Sequence, residues 1–206
     1  MDVYLVGFHP MEDPPDPQME AHHFCHQVNQ DFAQCTLFDS NSRNANLIGI
    51  DYIISEKLFE TLSEDEREYR HPHNAEISQW SARGTGHPLS SREGLDEGQD
   101  EQLRQDVACL EHRSDGGQAG DKLPWGPPLL AGSFDREGEA RPGLVEQRDK
   151  KMDIDTAEKR RQRSDLQSLA RPQWGVDDLK AAFPQARPIP GVVDKKTAAP
   201  SAAASR

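Results

Sequence analysis

The chain lacks any apolar run approaching the roughly 20 residues that a membrane-crossing helix needs. Attachment to a membrane or droplet is therefore expected to be peripheral, through a surface or a partner protein. Cysteines are few: Cys25, Cys35 and Cys109 show no paired spacing. The first ten residues have neither a basic start nor a long apolar stretch, so no signal peptide is expected. Free thiols in a reducing, cytoplasmic compartment follow from these two observations. There is no Gly-x-Ser-x-Gly elbow, no supported Cys/His pair and no phosphate-cradling glycine loop. Apolar residues make up only 34% of the chain, which implies that part of it does not join a core.

What is present suits one domain of modest size with a tail, in 206 residues. Charge is uneven. Residues 1–76 hold fifteen Asp/Glu against four Lys/Arg, and the remainder twenty-one against twenty. So acidic an N-terminal part repels phosphate backbones, and a nucleic-acid partner is not expected.

The run Val3-Tyr4-Leu5-Val6 reads as a strand, and the breaker run Asp13-Pro14-Pro15-Asp16-Pro17 stops it. Asp16 and Pro17 suit an N-cap and first turn. Ala21, Phe24, Cys25 and Val28 then fall at i, i+3, i+4 and i+7, which predicts a helix over residues 18–29. Cys35 to Phe38 and Leu47 to Ile54, separated by the polar loop Asp39 to Ser42 and beyond, predict an antiparallel hairpin. The second run is nearly all apolar and is expected at the centre of a sheet. Ser55 and Ser63 each precede a short helical signature. Residues 78–119 are dominated by Gly, Ser, Arg, Asp, Glu and Gln, without a sustained apolar period, and read as disordered. Leu129 and Leu130 suit a strand, residues 143–163 a charged, solvated helix, and residues 184–206 a flexible tail.

Two groups of side chains carry metal-ligating chemistry. His71 and His73 are alternate residues, which on a strand point the same way, and Glu76 adds an oxygen donor. The spacing is similar to the first motif of cupin barrels. Glu20, His22, His23 and His26 form the second group; on a helix His22 and His26 stand one turn apart, with Glu20 placed to orient a ring. The bland reading of both groups is loop, capping or surface histidines. Cys25 and Cys35 read as small buried hydrophobes in preference to a redox pair.

Several ordered strings resemble the oil-body-associated protein family of plants and fungi. They are Glu20-Ala21-His22-His23-Phe24-Cys25, Asn29 to Cys35, Leu47 to Ser55, His71-Pro72-His73-Asn74-Ala75-Glu76, Gly120 to Pro124 and Pro142 to Val145. Between residues 78 and about 118 the resemblance stops. Back-translating Gln79 to Pro88 and reading from the second base of each codon permits Ser-Gly-Gln-Leu-Val-Ala-Pro-Gly-Ile-Pro, a string like the family's. The same shift over Asp100 to His112 permits Gly-Lys-Thr-Trp-His-Val-Trp. One constant shift across both blocks points to a frameshifted segment.

The expected fold is α+β: a single domain over residues 1–183 with an antiparallel or mixed sheet and packed helices, a disordered middle segment and a tail. The resemblance implies a non-enzymatic protein peripheral to lipid droplets, bound to the droplet surface or to a droplet protein. The competing expectation is a metal-binding, cupin-like domain or metal-dependent enzyme. It would hold a divalent transition metal through His71, His73 and Glu76, with His22, His23 or His26.

Overall fold

The computed structural model describes residues 3–11, 15–72, 75, 104–109, 128–162, 164 and 171–196, with the backbone alone for 104–109. One antiparallel sheet organises them. Its strands are β1 (Val3–Pro10), β2 (Gln18–Asn29), β3 (Phe32–Phe38), β4 (Leu47–Ile54), β5 (His71–Pro72), β6 (Arg104–Cys109) and β7 (Leu129–Ala131). The order is β1-β2-β3-β4-β6-β5, with β7 also paired to β6. A bridge between Met11 and Ala131, and a hydrogen bond from Gly132 N to Pro10 O at 2.9 Å, join β7 back to β1. The sheet thus curls on itself and closes, leaving an inside and an outside.

Alternation assigns the faces. Register pairs Leu5 with His23, His23 with Leu37, Cys25 with Cys35 and Cys35 with Asp51, so all of these share the inner face. That face is the main core: Val3, Leu5, Ala21, Cys25, Ala33, Cys35, Leu37 and Ile53 are each 5% exposed or less. Short helices α1 (Glu56–Phe59) and α2 (Glu64–Arg67) follow β4. Each starts at a serine whose hydroxyl accepts a backbone N–H, Ser55 from Leu58 and Ser63 from Glu66. Helices α3 (Leu144–Met152) and α4 (Thr156–Gln162) are separated at Asp153, whose φ of 54° ends the first. A two-stranded ribbon pairs β8 (Arg136–Glu137) with β9 (Arg187–Pro188).

The α+β class, the β3–β4 hairpin and the central place of β4 agree with the sequence expectation. Five expectations need correction. Residues 18–29 form strand β2, not a helix: the i, i+3, i+4, i+7 match was incidental, and pairing on both edges decides the conformation. Within the stretch read as disordered, Arg104–Cys109 lies in the sheet beside β4. It contains part of the one apolar run there, Val107 to Leu110, and it covers what would be an open edge of β4. Residues 184–196 are not the start of a flexible tail. Val192 is 6% exposed and packs with Ala75 and Val176, while Gln173 N donates to Val193 O and Lys195 N to Gln173 O. Cys25 and Cys35, expected as free thiols, form a disulfide, because register sets them directly opposite on the inner face. Finally, α3 and α4, within the charged stretch 143–163, are not wholly solvated, since Arg148 is 3% exposed.

Candidate functional site: a histidine–aspartate chain inside the closed sheet

Three polar side chains interrupt the apolar interior in sequence. His9 lies at the end of β1, His23 in the middle of β2 and Asp51 in the middle of β4, and all are at most 1% exposed. His9 Nδ1 bonds the Gly132 carbonyl at 2.9 Å, His9 Nε2 meets His23 Nε2 at 3.0 Å, and His23 Nδ1 meets Asp51 Oδ2 at 3.0 Å. The chain therefore runs from the β7 end of the seam, through two imidazoles, to a carboxylate two strands away.

Protons follow from donor and acceptor inventories. A carbonyl only accepts, so His9 Nδ1 carries a proton. Satisfying three hydrogen bonds takes three protons, and two neutral imidazoles bring two. The third makes one ring an imidazolium facing the Asp51 carboxylate, or sits on Asp51. Either way the buried group is electroneutral, which is what a low-dielectric interior demands.

His71 joins from β5: it is 7% exposed, and its ring centre lies 5.8 Å from that of His9. Cys35 is adjacent as well. Ligand atoms of His23, Cys35 and Asp51 lie within 4.8 Å of one another. The Cys35 sulfur is bonded to Cys25, however, so it is not a thiolate while that bond stands.

The expected site residues are thus divided. His23 and His71 converge through His9. His22 lies on the opposite face of β2, fully buried, where its Nδ1 meets Tyr4 Oη at 2.6 Å and its Nε2 meets Glu20 Oε1 at 2.9 Å. The His22 hydrogen bond, opposed by burial and helped by Lys151 Nζ at 3.1 Å, holds the Glu20 carboxyl below its ordinary range. His26 is exposed, and on a strand it lies four residues, roughly 13 Å, from His22, too far for a shared ion. His73 and Glu76 lie outside the described residues. His9 and Asp51 were not anticipated. Asp51 did carry a signal, as the one charge in an otherwise apolar run; so did His9, in step with Val3 and Leu5 once the strand extends to residue 10.

A second buried polar set lies on the outside, where α3 and α4 meet β1. Asp149 accepts from Thr156 N at 2.9 Å, Thr156 Oγ1 at 2.8 Å and Arg148 Nε at 2.9 Å. Burial pushes its carboxyl up, but these donors outweigh burial and leave it below its ordinary value. Arg148 also donates to Thr156 Oγ1 at 2.7 Å and lies 5.1 Å over the Phe8 ring. Nearby, burial pushes the Glu139 carboxyl above its ordinary value, against hydrogen bonds from the Arg136 and Asp135 N–H groups.

A closed antiparallel sheet with short peripheral helices and a buried histidine–aspartate chain defines an α+β domain with a polar heart. The chain matches the family described as "Protein of unknown function (DUF1264)" over residues 1–167, and it belongs to that family. It is similar to oil body-associated protein 2C of Arabidopsis thaliana, 34% identical over 75% of this chain and 62% of that protein. It is also similar to oil body-associated proteins 2A and 1A of Zea mays, 34% and 32% identical over 80% and 87% of this chain and 64% and 72% of theirs. The chain thus spans less than two thirds of the length of two of these three relatives. No solved structure matches.

Proposed function

We propose that the protein is a non-enzymatic component peripheral to lipid droplets, held there by the outer face of strands β2 to β4. The carrying observation is an apolar, open strip on this face, bordered by the exposed His26 and Gln34. Ile50 and Tyr52 are 43% and 38% exposed, and Leu47 is 41% exposed opposite Phe38. Thr36 on β3 lies between Phe24 and Ile50, and the Phe24, Phe38 and Phe32 rings are half-buried beside them. Phe24 and Phe38 meet edge to face at 5.7 Å, and Phe32 lies 5.7 Å from Tyr52. Contiguous exposed apolar surface of this kind marks an interaction site.

Relatives named oil body-associated proteins support the occupant. No helix among the described residues is long and apolar enough to cross a membrane. The acidic N-terminal part favours a zwitterionic phospholipid coat over an anionic one, since like charges repel. A fluorescently tagged chain is expected to ring droplets in oil-loaded cells. It is also expected to float with triacylglycerol droplets coated in phosphatidylcholine. Ile50→Asp with Tyr52→Asp changes only exposed positions and removes burial of on the order of 1–2 kcal/mol at each, so flotation should fall at least tenfold. A uniform cytosolic signal, or undiminished flotation of the double variant, would reject this reading.

A further inference from the structure

We propose that His9, His23 and His71 form a site for one divalent transition-metal ion of the zinc class inside the closed sheet. Asp51 and the Gly132 carbonyl orient the rings. Three observations carry this. Both hydrogen-bonded rings have Nδ1 engaged by an acceptor, His9 with Gly132 O and His23 with Asp51 Oδ2. That is the arrangement that fixes tautomer and ring direction in metal-ligating histidines, whose free nitrogen then faces the ion. Second, the two remaining nitrogens face each other at 3.0 Å. A tetrahedral centre with zinc–nitrogen bonds of about 2.0–2.1 Å needs a separation of roughly 3.3 Å, so an ion replaces the shared proton with a widening of a few tenths of an ångström and a tilt of both rings toward it. Third, a further imidazole is adjacent: His71 is buried with its ring centre 5.8 Å from that of His9, and its ring completes the site by moving toward the His9–His23 pair on binding.

The donor set is nitrogen only. Imidazole ligands suit Zn(II), Co(II), Ni(II) and Cu(II), and not Mg(II) or Ca(II). Binding displaces the proton held between the two Nε2 atoms, so uptake releases protons and weakens in acid. His9 and His23 come from the paired strands β1 and β2, and closure of the sheet brings His71 of β5 to them.

The test uses the full chain equilibrated with Zn(II) or Co(II), dialysed and assayed for metal, beside thermal melts. About one ion per chain is expected, with a rise in Tm that grows with free metal. The Co(II) form should show visible d–d bands and no thiolate-to-cobalt charge transfer, with or without a dithiol reductant. His9→Gln and His23→Gln should each lower affinity at least a hundredfold. His26→Gln, on the exposed surface, and His22→Gln, on the outer face, should leave stoichiometry unchanged.

A cooperatively folding wild-type chain that retains under 0.2 ion per chain overturns the proposal. So does stoichiometric retention by His9→Gln and His23→Gln, or loss with His26→Gln or His22→Gln. A charge-transfer band that arises only after reduction would instead place Cys35 among the ligands and reject the nitrogen-only site. The Co(II) spectrum of the unaltered chain decides the donor set even where a histidine variant fails to fold.

Discussion

Replacing Asp149 with alanine tests the account of how the two helices are held to the sheet. Asp149 receives three hydrogen bonds, two from Thr156 and one from Arg148. Its loss frees the start of α4 and leaves the Arg148 guanidinium, 3% exposed, without its carboxylate. Stranding one member of a fully buried pair costs roughly 3–5 kcal/mol; Asp149 is partly exposed and Arg148 keeps Thr156 Oγ1 and the Phe8 ring, so the loss here is about 1–3 kcal/mol. For a domain of this size each kcal/mol moves Tm by about 2–4 °C, so Asp149→Ala should melt roughly 2–12 °C lower at neutral pH. Asp149→Asn keeps one carbonyl acceptor but not the charge, and should fall between the two. The pH dependence has a definite sign. Asp149 titrates below its ordinary value when folded, so its contribution is present above the unfolded value, about pH 4, and lost as pH falls through the folded value. The gap in Tm between wild type and Asp149→Ala should thus be wide at pH 7 and close in acid. Calorimetry or circular dichroism melts from pH 7 to pH 3 measure it. A gap under 2 °C at pH 7, or one that widens on acidification, would refute the reasoning.

Two further perturbations address other parts of the fold. Phe59 on α1 is 1% exposed, so Phe59→Ala should cost about 3–5 kcal/mol, read as a lowered denaturant midpoint with an unchanged slope. Gly175 has φ of +91°, and a Cβ there would meet Asp178 Oδ2 at 2.9 Å and Pro72 Cδ at 3.3 Å. Gly175→Ala should therefore destabilise by about 1–3 kcal/mol, and a neutral or raised Tm would show that this turn relaxes freely.

The parts of this fold legible in sequence are those where hydrophobic alternation and turn chemistry agree. Leu47 to Ile54 announced a central strand, and Ser55 and Ser63 announced helix starts that their hydroxyls indeed cap. β2 was misread because its inner face carries Ala21, His23 and Cys25 instead of large aliphatics. A polar histidine on the buried side, with Phe24 on the outer one, breaks the period-2 signal and lets a helical stripe emerge by chance. The same feature explains why half the candidate site was missed. β1 to β4 pair in order along the sheet, and His23 and Asp51 lie two strands apart on its inner face, so nothing local in the sequence shows that His9, His23 and Asp51 face one another. Spacing singles out His71 with His73 on a strand and His22 with His26 on a helix, whereas the described structure sets His23 and His71 beside His9.

The seam between β1 and β7 also bears on how the chain is made. His9 and its carbonyl partner Gly132 are 123 residues apart. At about 5–20 residues per second, a ribosome needs roughly 6–25 s to supply the second after the first. The first four strands therefore emerge as a curled ribbon whose inner histidines and carboxylate stay wet until the last staves arrive. Closure is thus an annealing step, and the interval before it is when the half-built cylinder is most open to chaperones or to aggregation.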